Sequence, residues 1–212
     1  MSDKNFIVET SAHHIHVTKE ALAALFGEGY ELAVKKMLSQ PGQFASNSRL
    51  DVVYHATIKD PKTGEMVNKD FTLKNLSILG PVRKANQVEV SLTDARSLKA
   101  KVPVRESGDI AGSCPCTLVN PLNGNKVDMA EGLIVAKRHI HMTVKDAQDF
   151  GVTNGQIVAV KITSNGRSAI LGDTVIRVSD SYALAMHIDT DESNAVGGAA
   201  SGVTGTLVDI EF

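Results

Sequence analysis

The chain has 212 residues, 42% hydrophobic and 22% charged, with a formal net charge of -2. That length fits one large domain or two small ones, and it can bury a substantial core. The near-neutral balance excludes a general attraction to nucleic acid or anionic membrane, so any anion site must be local. Aromatics are 4% and Trp is absent, which argues against a base-stacking platform.

The N-terminal "MSDKNFIVETSAHH" lacks the apolar core of a secretory leader, and no apolar run is long enough for a membrane helix. Next comes "HHIHVTKEALAALFG" at 13–27, and "RHIHMTVKDAQDFG" at 138–151 repeats its plan. Each copy reads His-Ile-His, an apolar residue, a threonine, a short helical pattern and a glycine. Thr18 and Thr143 suit helix N-caps, with Asp146 completing a capping box. Gly27 and Gly151 suit left-handed C-caps. Two copies are too few for a solenoid and predict two related modules.

Helices are expected near 19–26, 29–37, 93–98 and 144–149. The rest reads as strand. "KDPKTGE", "PLNGNK" and "TSNG" each separate two alternating runs and predict hairpins. The expected fold class is mainly β with short α-helices: two related small β-barrel modules with the active site between them. The division expected is 1–45 for the first His motif, its helices and a crossing segment, 46–130 for a central barrel, and 131–212 for the second His motif and a C-terminal barrel. Exchange of N-terminal strands between the barrels is compatible with this plan. The crossing is placed at "QPGQFASNS" (40–48).

In a strand, residues i and i+2 share a face. His14 and His16 therefore project together, as do His139 and His141. Such pairs suit metal ligation, for which neutral imidazole is the commonest ligand. His187 points away from a face formed by Tyr182, Leu184, Met186 and Ile188, and can supply a fifth imidazole. Asp189, Asp191 and Glu192 then read as acids at a helix N-terminus. His55 reads as a strand residue, and His13 faces away from His14 in a regular strand. Glu89 is a candidate carboxylate ligand and Arg83 a candidate bidentate anion binder; as a surface ion pair the two would contribute little. Cys114 and Cys116 are too close in sequence for a good mutual disulfide and read as small, semi-buried free thiols in a loop, with metal ligation the minority alternative.

The motifs "QPGQFA" (40–45), "LGPVRKANQVEVSLTDARSL" (79–98), "PVRESGD" (103–109), "RHIHMT" (138–143) and "MHIDTDESNA" (186–195) resemble the PduL-type phosphotransacylases, or phosphate propanoyltransferases. The resemblance spans roughly 10–195 with the motifs in family order. It implies two β-barrels and two zinc ions per chain, with coenzyme A as substrate. The implied reaction turns acyl-CoA and inorganic phosphate into acyl phosphate and CoA; direct transfer at the dinuclear metal site is expected, because neither Cys114 nor Cys116 falls in a His-paired arrangement.

The resemblance further implies that His14 and His16 hold one metal, and that Glu89, His139, His141 and His187 hold the other. Arg83 matches the phosphate-binding arginine and Ser107 an active-site serine. His13 departs from the family pattern, which has arginine before the first His-x-His. The C-terminal "GGAASGVTGTLVDIEF" is also less typical. A cytoplasmic enzyme is expected, since no amphipathic encapsulation segment precedes the first His motif. A homodimer and a microcompartment association are compatible with the resemblance. The competing readings are a dinuclear zinc hydrolase, such as a thioesterase or phosphoesterase, and a non-catalytic double barrel with structural zinc.

Overall fold

A computed structural model describes residues 4–198 and 203–210. The least typical C-terminal stretch therefore falls partly outside the described residues. In chain order the elements are β1 (Phe6–Thr10), β2 (His14–His16), α1 (Lys19–Phe26), β3 (Val34–Met37), β4 (Phe44–Lys59), β5 (Met66–Gly80), β6 (Gln87–Val90), α2 (Leu92–Ser97) and β7 (Val104–Arg105). Then follow β8 (Cys114–Val119), β9 (Lys126–Ala136), β10 (His139–Met142), α3 (Val144–Phe150), β11 (Ile157–Thr163), β12 (Ala169–Val178), β13 (Ala185–Ile188), α4 (Thr190–Ala195) and β14 (Thr204–Val208). The chain is mainly β with short helices, and no helix among the described residues is long and apolar enough to cross a membrane.

Two compact units form, neither continuous in sequence. One takes 1–12, 38–42 and 136–212; the other takes 13–37 and 43–135. This division differs from one drawn at 45/46 and 130/131, because the first strand and the segment "LSQPG" (38–42) join the C-terminal unit. In that unit β1, β13, β10, β12, β11 and β14 close into a barrel around Phe6, Ile140, Met142, Val160, Ile162, Ile176 and Met186. In the other unit β4, β5, β2, β6, β9 and β8 form a ring, closed because β8 pairs with both β9 and β4. Ile15, Leu50, Leu76, Ile78, Val88, Leu118 and Leu133 fill it.

The two rings have one plan. β2 lies parallel to β5 and antiparallel to β6, as β10 lies parallel to β12 and antiparallel to β13. β9 runs parallel to β6 and antiparallel to β8, as β1 runs parallel to β13 and antiparallel to β14. β1 precedes the first His-Ile-His and β9 the second, yet each closes the ring containing the other copy.

Local chemistry accounts for the helices. Thr18 accepts a hydrogen bond from Ala21 N, and Thr143 makes a capping box with Asp146. Gly151 is left-handed, whereas Gly27 has φ 104° and ψ 157° and ends α1 in an extended turn. The helix expected at 29–37 does not form: 34–37 is strand β3, exposed throughout and paired with β4. The three predicted hairpin turns join β4 to β5, β8 to β9, and β11 to β12. Cys114 and Cys116 are free thiols, on strand β8 and not in a loop.

Candidate metal centres

Each ring carries one three-residue donor group, built the same way. On β2, His14 and His16 face the same side. Antiparallel β6 sets Glu89 directly across from His14 and Gln87 across from His16. All four residues are buried. His14 Nε2 lies 3.1 Å from His16 Nε2 and 3.4 Å from Glu89 Oε2, and His16 Nε2 lies 3.9 Å from Glu89 Oε1. Tetrahedral zinc with bonds of about 2.0–2.1 Å places neighbouring ligand atoms roughly 3.3 Å apart. The 3.1 and 3.4 Å spacings lie close to that value, and the 3.9 Å spacing is wider.

The electrostatics also suit a cation. Burial, the neighbouring His14 and the Arg83 guanidinium push His16 well below the ordinary imidazole range, leaving it the neutral form that a metal needs. Burial alone would raise the Glu89 carboxyl, but His14, His16, the Ser107 hydroxyl and Arg83 outweigh it and hold it at about 2. A buried, ionised carboxylate beside neutral imidazole is a donor set for a divalent ion.

On the other ring, β10 supplies His139 and His141, and antiparallel β13 sets His187 across from His139. The three offer ligand atoms within 4.8 Å of one another, as do His14, His16 and Glu89. Ring centroids are 4.6 Å apart for His139 and His141, and 5.2 and 5.0 Å from these to His187. His139 Nδ1 sits 2.9 Å from Lys137 O, a contact that fixes the ring's tautomer and leaves Nε2 for a metal.

The structure brings all six expected ligands into two groups, but not in the grouping the resemblance implied. Glu89 stands with His14 and His16, because β6 is hydrogen-bonded to β2. It occupies on its ring the position that His187 occupies on the other: both pair with the first histidine of His-Ile-His, and both precede a helix N-cap by two residues, Ser91 and Asp189. Asp189 and Glu192 form that cap, consistent with their reading as N-terminal acids.

The residue before each His-Ile-His is tied to the capped helix that follows its partner strand. Arg138 Nη1 donates to Glu192 Oε1 at 2.6 Å, and His13 Nδ1 lies 3.1 Å from Asp94 Oδ2. Glu192 and Asp94 are both the third helical residue of their capping boxes. His13 thus takes the place of an arginine as an anchor to α2, turned away from the metal donors. His55 bonds Asp70 on the neighbouring strand and is a strand residue.

Arg83 and Ser107 flank the Glu89 group. Arg83 N donates to Val17 O, which ties its loop to the end of β2, and Arg83 Nη1 donates to Ser107 Oγ at 3.2 Å. Gln87, Gln40 and Glu9 carry no role in the sequence analysis, and Tyr182 was expected only on the face away from His187; each touches one of the two donor groups. Gln87 bonds both Glu89 and Ser107. Gln40 clamps Ala183 through both ends of its amide and reaches His187 Nε2 at 3.4 Å. Tyr182 lies against His141 with centroids 4.1 Å apart, and Glu9 Oε2 is 3.8 Å from His187 Nδ1. Gln87 was visible as the i-2 neighbour of Glu89 on one strand face. The others depend on contacts between distant segments.

Known proteins resemble this chain along most of its length. A family model described as phosphate propanoyltransferase matches residues 7–199. A phosphate propanoyltransferase of Leptotrichia buccalis is 47% identical over 205 residues, covering 97% of this chain and 89% of the relative. One from Listeria monocytogenes is 45% identical over 201 residues, covering 95% and 86%. One from Thermotoga maritima is 44% identical over 193 residues, covering 91% and 84%.

Proposed function

The chain belongs to the phosphate propanoyltransferase family and is an acyltransferase, and on that premise we propose that it uses two zinc ions to interconvert acetyl- or propanoyl-CoA plus phosphate with acyl phosphate plus CoA. The observation that carries the metal dependence is the pair of donor groups, one on each ring, with five of the six residues buried and His187 partly so. His14, His16 and Glu89 would hold one ion, and His139, His141 and His187 the other. Zinc would supply a Lewis acid that favours the thiolate form of the coenzyme A sulfur and orients phosphate.

The chain's own residues do the rest. Arg83 takes phosphate oxygens in its planar fork and offsets the charge that develops on them. Burial and Arg83 keep His16 neutral, so that its ring nitrogen donates to the metal and not to a proton. Transfer is direct, within a complex of both substrates, which turns a multi-body encounter into an intramolecular one. The absence of an activated nucleophile among the thiols supports this. Burial lifts Cys116 to about 12 and also raises Cys114. The enzyme is read as cytoplasmic; size-exclusion chromatography tests a homodimer, and cell fractionation tests a microcompartment association.

The deciding experiment follows CoA thiol release from acetyl-CoA and propanoyl-CoA by metal-replete protein, with and without inorganic phosphate. Phosphate-dependent release with matching acyl phosphate is expected. Release without phosphate would instead make it a thioesterase. His139→Ala is expected to abolish turnover and lower bound zinc; full activity with unchanged zinc would refute the ligand assignment.

A further inference from the structure

Gln87 is 3% exposed, yet the barrel does not require an amide at its position. The equivalent place in the other ring, across from the second histidine, is Ala185, itself fully buried. Burying a carboxamide is costly unless its polar atoms are bonded. Here three bonds are made. Oε1 accepts from Gly108 N at 2.8 Å, while Nε2 donates to Glu89 Oε1 at 2.6 Å and to Ser107 Oγ at 2.9 Å. Since a backbone N–H can only donate, the Gly108 contact fixes which end of the amide is oxygen. Both Nε2 hydrogens must then face Glu89 and Ser107.

This orientation determines what Ser107 does. Its oxygen receives hydrogens from Gln87 and from Arg83 Nη1. A hydroxyl that accepts two hydrogen bonds has both of its lone pairs engaged. It is poorly placed to act as a nucleophile and well placed as a bridge.

We propose that Gln87 is a positioning residue for the transacylation: through Ser107 and Gly108 it couples the Arg83 guanidinium to the Glu89 carboxylate, so that the phosphate subsite and the metal subsite are held in one fixed relation. This rests on the reading of the site given above. Gln87 touches neither substrate nor metal. It leaves Glu89 Oε2 facing His14 by occupying Oε1, and it holds the 107–108 turn against β6.

The test uses the full chain. Gln87→Met keeps side-chain length and removes all three bonds. The expected result is a rise of about tenfold or more in the KM for phosphate, the range seen when groups supporting a metal ligand are removed. The KM for acetyl-CoA is expected to stay unchanged. Cobalt(II) absorption, read in a His139→Ala background so that only the Glu89 triad reports, is expected to show about tenfold weaker binding. Ser107→Ala should shift the phosphate KM in the same direction, and the double variant should be non-additive, since the two act through one network.

Should Gln87→Met fail to fold by circular dichroism, Gln87→Glu decides. It retains the shape and the Gly108 bond but presents oxygen to Glu89 and Ser107, and the cobalt spectrum is expected to change. A folded variant with wild-type phosphate KM and wild-type cobalt binding overturns the proposal, as does full additivity with Ser107→Ala. If the wild-type chain releases no CoA with phosphate present, it is the transacylase reading that fails, and cobalt binding alone then decides the role of Gln87.

Discussion

Glu89 is buried and ionised because two histidines, a hydroxyl and a guanidinium surround it. The two cysteines have the opposite environment. Cys116 lies in the apolar core beside Met129, and burial lifts its thiol to about 12. Cys114 donates to Lys101 O and is also raised above the usual thiol range by burial. A raised thiol is mostly uncharged at neutral pH, and it is the thiolate that reacts. Iodoacetamide at pH 8 should therefore spare Cys116 and modify Cys114 slowly, with activity retained. The Cys114 rate should still be rising above pH 9. Activity lost in step with alkylation of either thiol, or an acylated cysteine trapped without phosphate, would defeat direct transfer.

At the level of elements, the join between β6 and β9 is tightly constrained. Gly132 has φ 121°, and a Cβ there would lie 2.7 Å from the Asn86 carbonyl oxygen. Gly132 N also donates to Ser113 Oγ. Asn86 in turn accepts from Thr18 N, at the turn between β2 and α1. Gly132→Ala should cost about 1–3 kcal/mol from backbone conformation alone, before Asn86 moves. Denaturant melting measures this; a midpoint equal to wild type would show that the join is softer than it looks.

The same elements show what was legible in the sequence. Turns and caps were readable, since Asn-Gly, Thr18 and Asp146 act on neighbours a few residues away. The histidine pairs were readable because strand alternation is local. The grouping of Glu89 was not, because it follows from the register of β6 on β2, strands far apart in the chain. Residues 29–37 carry a helical pattern, but Val34–Met37 pair with β4 instead, so tertiary hydrogen bonding overrides local preference. Gln40, which belongs to a recognised motif, gained a role only when Ala183 and His187 came to it.

At the scale of the molecule, the proposed metal sites make a prediction about stability. An ion that binds the folded chain and not the unfolded one stabilises it by mass action. Chelation should lower the melting temperature by several degrees, and zinc should restore it; a melting temperature indifferent to both would argue against resident metal. The exchanged strands make a second prediction. A chain beginning after Thr10 lacks β1, so β13 and β14 become open edges, while every strand of the other ring is retained. Hydrogen exchange should then show lost protection across 139–208 and preserved protection across β2, β4, β5, β6, β8 and β9.

The same exchange sets an order of events on the ribosome. The ring containing β2 has all its strands once Ala136 has emerged, and it can close while the rest is still being translated. β1 emerges long before β13 and β14, the strands it pairs with. At ordinary translation speeds that interval is on the order of ten seconds. Throughout it Phe6 and Val8, both destined for the core, have no finished barrel to enter. A nascent strand waiting in this way is a natural client for a holding chaperone, and overproduction should outrun that protection first at β1.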